Sequence, residues 1–583
     1  MTSQVGSLET PPASTLAPRR RADYSPFVQF PHDLRPVNGF RACLRGFTAP
    51  IWIVVTRKRA LVDASAGETS SDIGALARGG ALNLVGVAMS GALQFLLVVI
   101  VTRGAGARGA GLFLEAIALF TILSNAGELG ADTGVVRMIP HLRALGRGRD
   151  IERTLAVALV PVGAVGILFA GAVYISAPQL SHVFFHGVHR GDAAAYVRAL
   201  APFLAVGSAA TVALAATRGF GTMVPYVTIQ NIVLPVLRIA LVGLAVGLGI
   251  RGTALAWGWG LPLALTLAAG LVALARRLQA TSRDADARFA GAPASTHALA
   301  AEFWRFVGPR GLAAILGITV TWVDVLLVGA LRSTREAGVY AAASRLAIVG
   351  AYALQAVGMA LAPQISALLA RERLAPAQQL YQLGTWWLMA LTWPAYIVLA
   401  LYAPFMMQMF GHEFGGGATA LSILSIAMLV NLGTGNVNVV LLMSGKSMWN
   451  LINGLGSVVL NVGLNLILIP RFGMSGAAVA WAASIVCVNV ATMLEVQAFL
   501  GIRPFGRGYP VVATAALGSF GIVGGVLRYG FGASGSTLLI TLAAALVVYV
   551  ALLWRYGRPL RLGGLLGTLP IRVPALARSA GSP

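Results

Sequence analysis

The segment GIRGTALAW, Gly249–Trp257, returns as GMSGAAVAW, Gly473–Trp481, an offset of 224 residues. The surroundings keep the same step to within one residue. The tight turn GFGTM around Gly221 answers SGKSM around Gly445, and MIPHL, with Pro140, answers LAPQI, with Pro363. The chain reads as a duplication. A duplicated membrane bundle places two similar lobes around a central axis, the arrangement in which many secondary transporters hold substrate near the bilayer midplane.

Composition puts that duplication in lipid. Hydrophobic residues make up 57% and charged residues 11%, with a mean hydropathy of +0.78, far from the balance of soluble domains. About fourteen apolar runs, from Gly79–Val101 to Ser536–Leu553, have the roughly 20 residues that cross a hydrocarbon core. The fold class is therefore all-α and polytopic, with two parallel six-helix repeats and two further C-terminal helices. Glycine, 69 of 583 residues, is dense enough to let helix backbones approach closely.

Charge sets the orientation. With a cytoplasmic N-terminus, the tails and even-numbered connections carry roughly thirty Lys and Arg and the opposite connections about nine, the bias of cytoplasmic loops. Both termini are expected inside a bacterial inner membrane. The formal net charge of +23 follows from this bias and from attraction to anionic lipids. No soluble basic domain points to nucleic acid. The expected organisation is a basic disordered tail at 1–75, an N-lobe at 76–278, a cytoplasmic linker at 279–302, a C-lobe at 303–500, a helix pair at 501–556 and a cytoplasmic tail at 557–583.

Loop lengths argue against an enzyme. The longest connections, Arg276 to about Glu302 and Pro178 to Asp192, are too short for a catalytic domain. No catalytic constellation or cofactor motif is present. His182, His186 and His189 lie close together in SHVFFHGVHRGD but lack a Cys or close acidic ligand, so an interfacial loop is expected there and no metal.

Two longer stretches carry a family resemblance. VTRGAGARGAGLFLEAIALFTILSNAGELGADTGVVRMIPHLRALGRGRD, Val101–Asp150, resembles the polysaccharide transporter branch of the multidrug/oligosaccharidyl-lipid/polysaccharide (MOP) exporter superfamily. WVDVLLVGALRSTREAGVYAAASRLA, Trp322–Ala347, is similar to the seventh-to-eighth helix junction of Wzx-type O-antigen flippases. The resemblance implies a flippase that turns an undecaprenyl-pyrophosphate-linked oligosaccharide from the inner to the outer leaflet by alternating access. It leaves open H+ or Na+ as coupling ion, and a polysaccharide polymerase or glycosyltransferases as partners.

An anionic headgroup and a saccharide need a hydrated, cationic path, so charges within the membrane are the places to look. Arg345 lies nine residues past Glu336, about 14 Å along the eighth helix, near the midplane. Asp324, toward the end of the seventh helix, is its expected ion-pair partner. Glu115 on the second helix is expected to face the same cavity, and Arg238 and Arg310 are further candidates for the pathway. Glu128, Asp132 and Arg137 cluster where a salt-bridged inner gate is expected. Lys446 reads as topological and Glu495 as solvated.

Rival functions remain open at this level. Drug/cation antiporters of the superfamily commonly carry an acidic residue in the first helix, and Gly79–Val101 has none. A lipid II flippase would also have fourteen helices, with the last pair forming a groove for the lipid tail. A non-transporting membrane scaffold is the third class.

Overall fold

The computed structural model describes residues 52–250, 252–285 and 295–556, with side chains in 86–250, 252–280 and 295–556. In the compact unit Met1–Asp72, the described residues 52–72 are helical. Most of the basic tail, the middle of the linker and the tail at 557–583 lie outside the described residues.

The second unit, Ile73–Pro583, contains the membrane bundle. Its first long apolar stretch, Gly86–Ala144, is two passes. Gly106 interrupts it at φ 68° and ψ −178°, a conformation open essentially to glycine. Ser90 and Glu128 line one cavity, yet a straight helix would hold them about 57 Å apart. The chain therefore folds back at Gly106 into α1 (86–105) and α2 (107–144). The remaining passes are α3 (Asp150–Phe184), α4 (Arg190–Gly219), α5 (Val224–Gly247), α6 (Thr253–Ala280), α7 (Thr296–Leu331) and α8 (Thr334–Ala370). They continue as α9 (Leu374–Leu401), α10 (His412–Gly433), α11 (Ser447–Phe472), α12 (Met474–Leu500), α13 (Gly508–Phe531) and α14 (Gly535–Tyr556). Thirteen apolar stretches thus give the fourteen passes that the sequence indicates.

The duplication is visible in backbone and packing alike. Gly221 and Gly445 share the left-handed region at φ 85° and 82°, and Gly249 and Gly473 at φ 71° and 58°. The close helix pairs α3–α4, α4–α6 and α5–α6 recur six positions later as α9–α10, α10–α12 and α11–α12. Outside both repeats, α13 and α14 pack on α9. Tyr549 Oη donates to the Ala390 carbonyl at 2.8 Å, and Arg528 Nε donates to the Leu401 carbonyl at 3.1 Å.

Large apolar side chains such as Val160, Ile167, Leu391 and Val547 stay exposed on the outside of the bundle. On a soluble protein so much apolar surface would drive association; here it is the face that lipid covers. With lipid on one side and apolar neighbours on the other, helix association rests on close packing at small residues. Gly111 lies against the Thr334 backbone, Gly338 against Ala107 and Gly111, and Gly130 against Gly311. All three crossings join the first repeat to the second.

Candidate functional site

A cavity of about 390 Å³ lies between the repeats, within the range of small-molecule sites. Its wall runs down α2 from Phe113 to Glu128, about 22 Å at the helical rise. Beyond Phe113 the space ends, because the α1–α2 turn is packed against the second repeat. Glu413 Oε2 accepts from the Ala107 amide at 2.9 Å, capping the start of α2 from across the seam. Arg103 Nε donates to the Met409 carbonyl at 2.9 Å, and the Thr334 amide donates to the His186 carbonyl at 2.9 Å. A side chain at Gly111 would overlap the Thr334 carbonyl. The cavity is thus sealed at the α1–α2 end and reaches toward the α2–α3 end.

Two arginines meet in this cavity, one from each repeat. Arg238 on α5 lies over the Trp259 ring at 3.7 Å, and its Nε donates to the Trp259 carbonyl at 3.1 Å. The α5 backbone widens into a π-turn, Val227–Val233, just before Pro235, whose missing N–H breaks the regular ladder. Arg345 on α8 lies over the Trp322 ring of α7 at 3.8 Å. Its Nε and one Nη are buried without a hydrogen-bond partner. Stacking on an aromatic face stabilises each cation and fixes the plane of its donors. Arg345 in particular brings its charge to a space that also holds Gln94, Asn125, Gln230 and Tyr352, while its Nε and one Nη stay enclosed in the wall. Such a wall suits an anion flanked by hydroxyl groups.

The pairing of Arg345 with Asp324 expected from the sequence is not formed. Asp324, 2% exposed, sits outside the cavity in a separate polar centre. It accepts from Tyr340 Oη at 2.9 Å and from Asn465 Nδ2 at 2.7 Å. Asn461, one turn before Asn465 on α11, flanks it with both amide atoms unpartnered. A carboxylate held by two neutral donors is satisfied without the arginine, which stacks on tryptophan instead.

Glu115 also departs from expectation. It is fully buried in the seam, not the cavity, where Thr334 Oγ1 donates to its Oε2 at 2.9 Å and the absent side chain of Gly329 makes room for Oε1. Arg310 lies outside the cavity wall, stacked on Phe306 at 4.0 Å near the α2–α3 end. Among the inner-gate candidates, Glu128 lines the cavity and Asp132 is half-buried beside it. Arg137 rests on Phe306 at 3.8 Å. No salt bridge joins these three, because the aromatic ring holds the cation that a carboxylate was expected to hold. Lys446 lies over Phe499 at 4.8 Å, and Glu495, expected in solvent, accepts from Asn453 at 2.7 Å. His186 is part of the seam, its Nδ1 3.3 Å from the Gly329 carbonyl. Among the described residues no group of three His, Cys, Asp or Glu is placed to hold a metal.

Sequence reasoning missed Trp259 and Trp322, which hold the arginines, Glu413, which closes the seam, and Asn461 and Asn465. The asparagines had a signal: two amides four residues apart in an apolar helix share one face and are costly in lipid unless partnered. The tryptophans had none, since eleven occur in the chain and most simply pack.

Comparison with known proteins agrees with this architecture. A family model described as "Polysaccharide biosynthesis protein" matches residues 76–369, half of the chain. The probable low-salt glycan biosynthesis flippase Agl15 of Haloferax volcanii is 26% identical over 427 residues, 70% of this chain and 81% of the relative. Among solved structures, the lipid II flippase MurJ in an inward closed conformation superposes with a TM-score of 0.62 at 13% identity, covering 82% of this chain and 99% of MurJ. An inward-facing multidrug resistance MATE transporter of the MOP superfamily gives 0.57 at 16% identity, over 72% and 98%. The protein is a multi-pass membrane protein that belongs to the polysaccharide biosynthesis protein family and has the fold of the MOP superfamily transporters.

Proposed function

We propose that the protein is a flippase that carries a lipid-linked oligosaccharide, of the undecaprenyl-pyrophosphate kind, across the bacterial inner membrane by alternating access. The observation that carries this reading is the cavity between the repeats, where Arg238 and Arg345 present stacked guanidinium groups. Pyrophosphate would bind between these cations, and amide side chains would meet the saccharide hydroxyls. The isoprenoid would remain in lipid, since the cavity cannot take so long a chain. The family match and the glycan flippase relative support the same substrate class.

With both termini cytoplasmic, the sealed α1–α2 end would face outward and this arrangement would be the state that loads from inside. The lobes 76–278 and 303–500 would then part along the seam of Glu115, Thr334 and Glu413 and close at the other end. Coupling to H+ or Na+ would act at Asp324, where Asn461 and Asn465 leave amide oxygens unpartnered beside a carboxylate. A cation binding there would change the contacts among α7, α8 and α11, and α7 and α8 also carry Trp322 and Arg345.

Mass spectrometry of lipid-linked saccharides in cells depleted of the protein tests the proposal. Build-up of an undecaprenyl-pyrophosphate oligosaccharide, with loss of a surface polymer, is expected. Accumulation of lipid II would move the activity to peptidoglycan synthesis, and unchanged lipid pools with new drug sensitivity would move it to drug export.

A further inference from the structure

A second cationic site lies away from the central cavity, where α2 and α7 run on past their crossing at Gly130 and Gly311, still in contact at Gly134 and Phe303. A groove of about 250 Å³ runs between them. From α2 it takes Gly134, Arg137 and His141, which share one helical face at steps of three and four residues. From α7 it takes Glu302, Arg305 and Phe306.

Phe306 is the centre of the arrangement. Its ring carries the Arg137 guanidinium at 3.8 Å and the Arg310 guanidinium at 4.0 Å. The two cationic carbons therefore stand no more than about 8 Å apart, a spacing that concentrates positive charge at one end of the groove. Glu302 is the single carboxylate of the groove among the described residues, and it pairs within 4.0 Å with none of Arg137, Arg305 and Arg310. Arg137 and Arg305 line the groove, and Arg310 lies beside it on the same Phe306 ring with its Nη1 donating to the Phe306 carbonyl at 3.4 Å; a guanidinium held flat by a ring next to a second cation is a preorganised receptor for phosphate oxygens. Simple topological charge would not need this geometry, because solvated arginines on separate loops serve orientation equally well.

We infer that this groove binds a phosphate-bearing headgroup, with Arg137 contributing from the first repeat and Arg305 from the second, and with Arg310 at its margin on the shared Phe306 ring. The bound phosphate bridges the α2–α7 seam and so favours the arrangement in which these helices touch. Its source is either an anionic phospholipid of the bilayer or a lipid-linked pyrophosphate. The phosphate assignment stands without the transport reading; only the pyrophosphate source rests on it.

The test uses the full-length protein in detergent micelles and native mass spectrometry. Phosphatidylglycerol, phosphatidylcholine and inorganic pyrophosphate are titrated separately into the wild type, Arg137→Gln/Arg310→Gln and Arg371→Gln/Arg373→Gln. The last pair removes the same charge from exposed positions at the same end of the bundle. Each charge-assisted hydrogen bond to phosphate is worth about tenfold or more, so the Arg137/Arg310 variant is expected to bind phosphatidylglycerol about a hundredfold more weakly, and the control pair, which removes charge but no groove contact, to lose clearly less. Arg137→Lys/Arg310→Lys keeps the charge without the flat fork and is expected to fall between. A bilayer source gives phosphatidylglycerol binding that pyrophosphate does not displace; a pyrophosphate source gives displacement that depends on Arg137 and Arg310. Equal losses in the test and control pairs, or no preference for phosphatidylglycerol or pyrophosphate over phosphatidylcholine in the wild type, would overturn the site.

Discussion

Replacing Arg345 separates a substrate ligand from a packing residue, because the structure gives the two roles opposite consequences for stability. The guanidinium has a ring beneath it but two buried N–H groups with no partner. Stacking on tryptophan returns up to about 2 kcal/mol, whereas each buried donor left unsatisfied costs about 1–3 kcal/mol. Arg345→Ala should therefore leave the melting temperature of the purified protein unchanged or slightly raised. In transport the balance reverses. Two hydrogen bonds from a charged donor to phosphate contribute about 1.5–3 kcal/mol each, so their joint loss should slow flipping at least a hundredfold. Arg345→Lys keeps the charge without the fork and should lose about one such bond, tenfold or more. The assay is complementation of a depleted strain at matched expression, with lipid-linked saccharide measured by mass spectrometry and the purified variant melted in parallel. Normal export by Arg345→Ala would remove the substrate role, and a large fall in melting temperature would assign the residue to packing.

Arg238 gives the contrasting case, since its Nε is already bonded to the Trp259 carbonyl. Arg238→Ala should destabilise the protein by about 1–3 kcal/mol through lost stacking and hydrogen bonding, seen as a lower melting temperature as well as slower export. Glu413→Ala removes the acceptor that caps α2 across the seam; it should weaken the sealed state by about 0.5–2 kcal/mol and raise thiol labelling of a cysteine placed at Ala107. Asp324→Asn puts an amide where Tyr340 and Asn465 both donate, so one contact is lost at about 1–3 kcal/mol. In proteoliposomes, transport by this variant should no longer respond to an imposed proton or sodium gradient.

The fold was legible because membrane insertion enforces it residue by residue. Each pass needs an apolar run, each backbone group needs an internal partner, and a duplicated turn needs its glycine at the same step, as Gly221 and Gly445 or Gly249 and Gly473 show. Gly106 was harder to read. It stands in GAGARGAG among glycines that serve ordinary close packing, and nothing in the letters marks it as the residue that reverses the chain.

The site was legible only as a set of types. Counting intramembrane charges found Arg238, Arg345, Asp324 and Glu115, since a charge in lipid is too costly to be idle. It paired them wrongly, because depth along a helix was known and rotation about its axis was not. Arg345 and Asp324 sit on neighbouring helices, yet one points at Trp322 and the cavity while the other is enclosed by Tyr340 and Asn465. Neutral groups, which no charge count reveals, decide this separation. The separation has a functional consequence. An arginine locked to an internal carboxylate would have to break that pair before meeting phosphate, whereas one resting on an aromatic face keeps its donors free. Under the proposed function, Asp324, held apart by neutral donors, would respond to a cation without competing for the arginine that meets the substrate. Substrate and coupling ion would then communicate through the shared helices α7 and α8, so a mutation that straightens or loosens those helices should uncouple the two while leaving both sites intact.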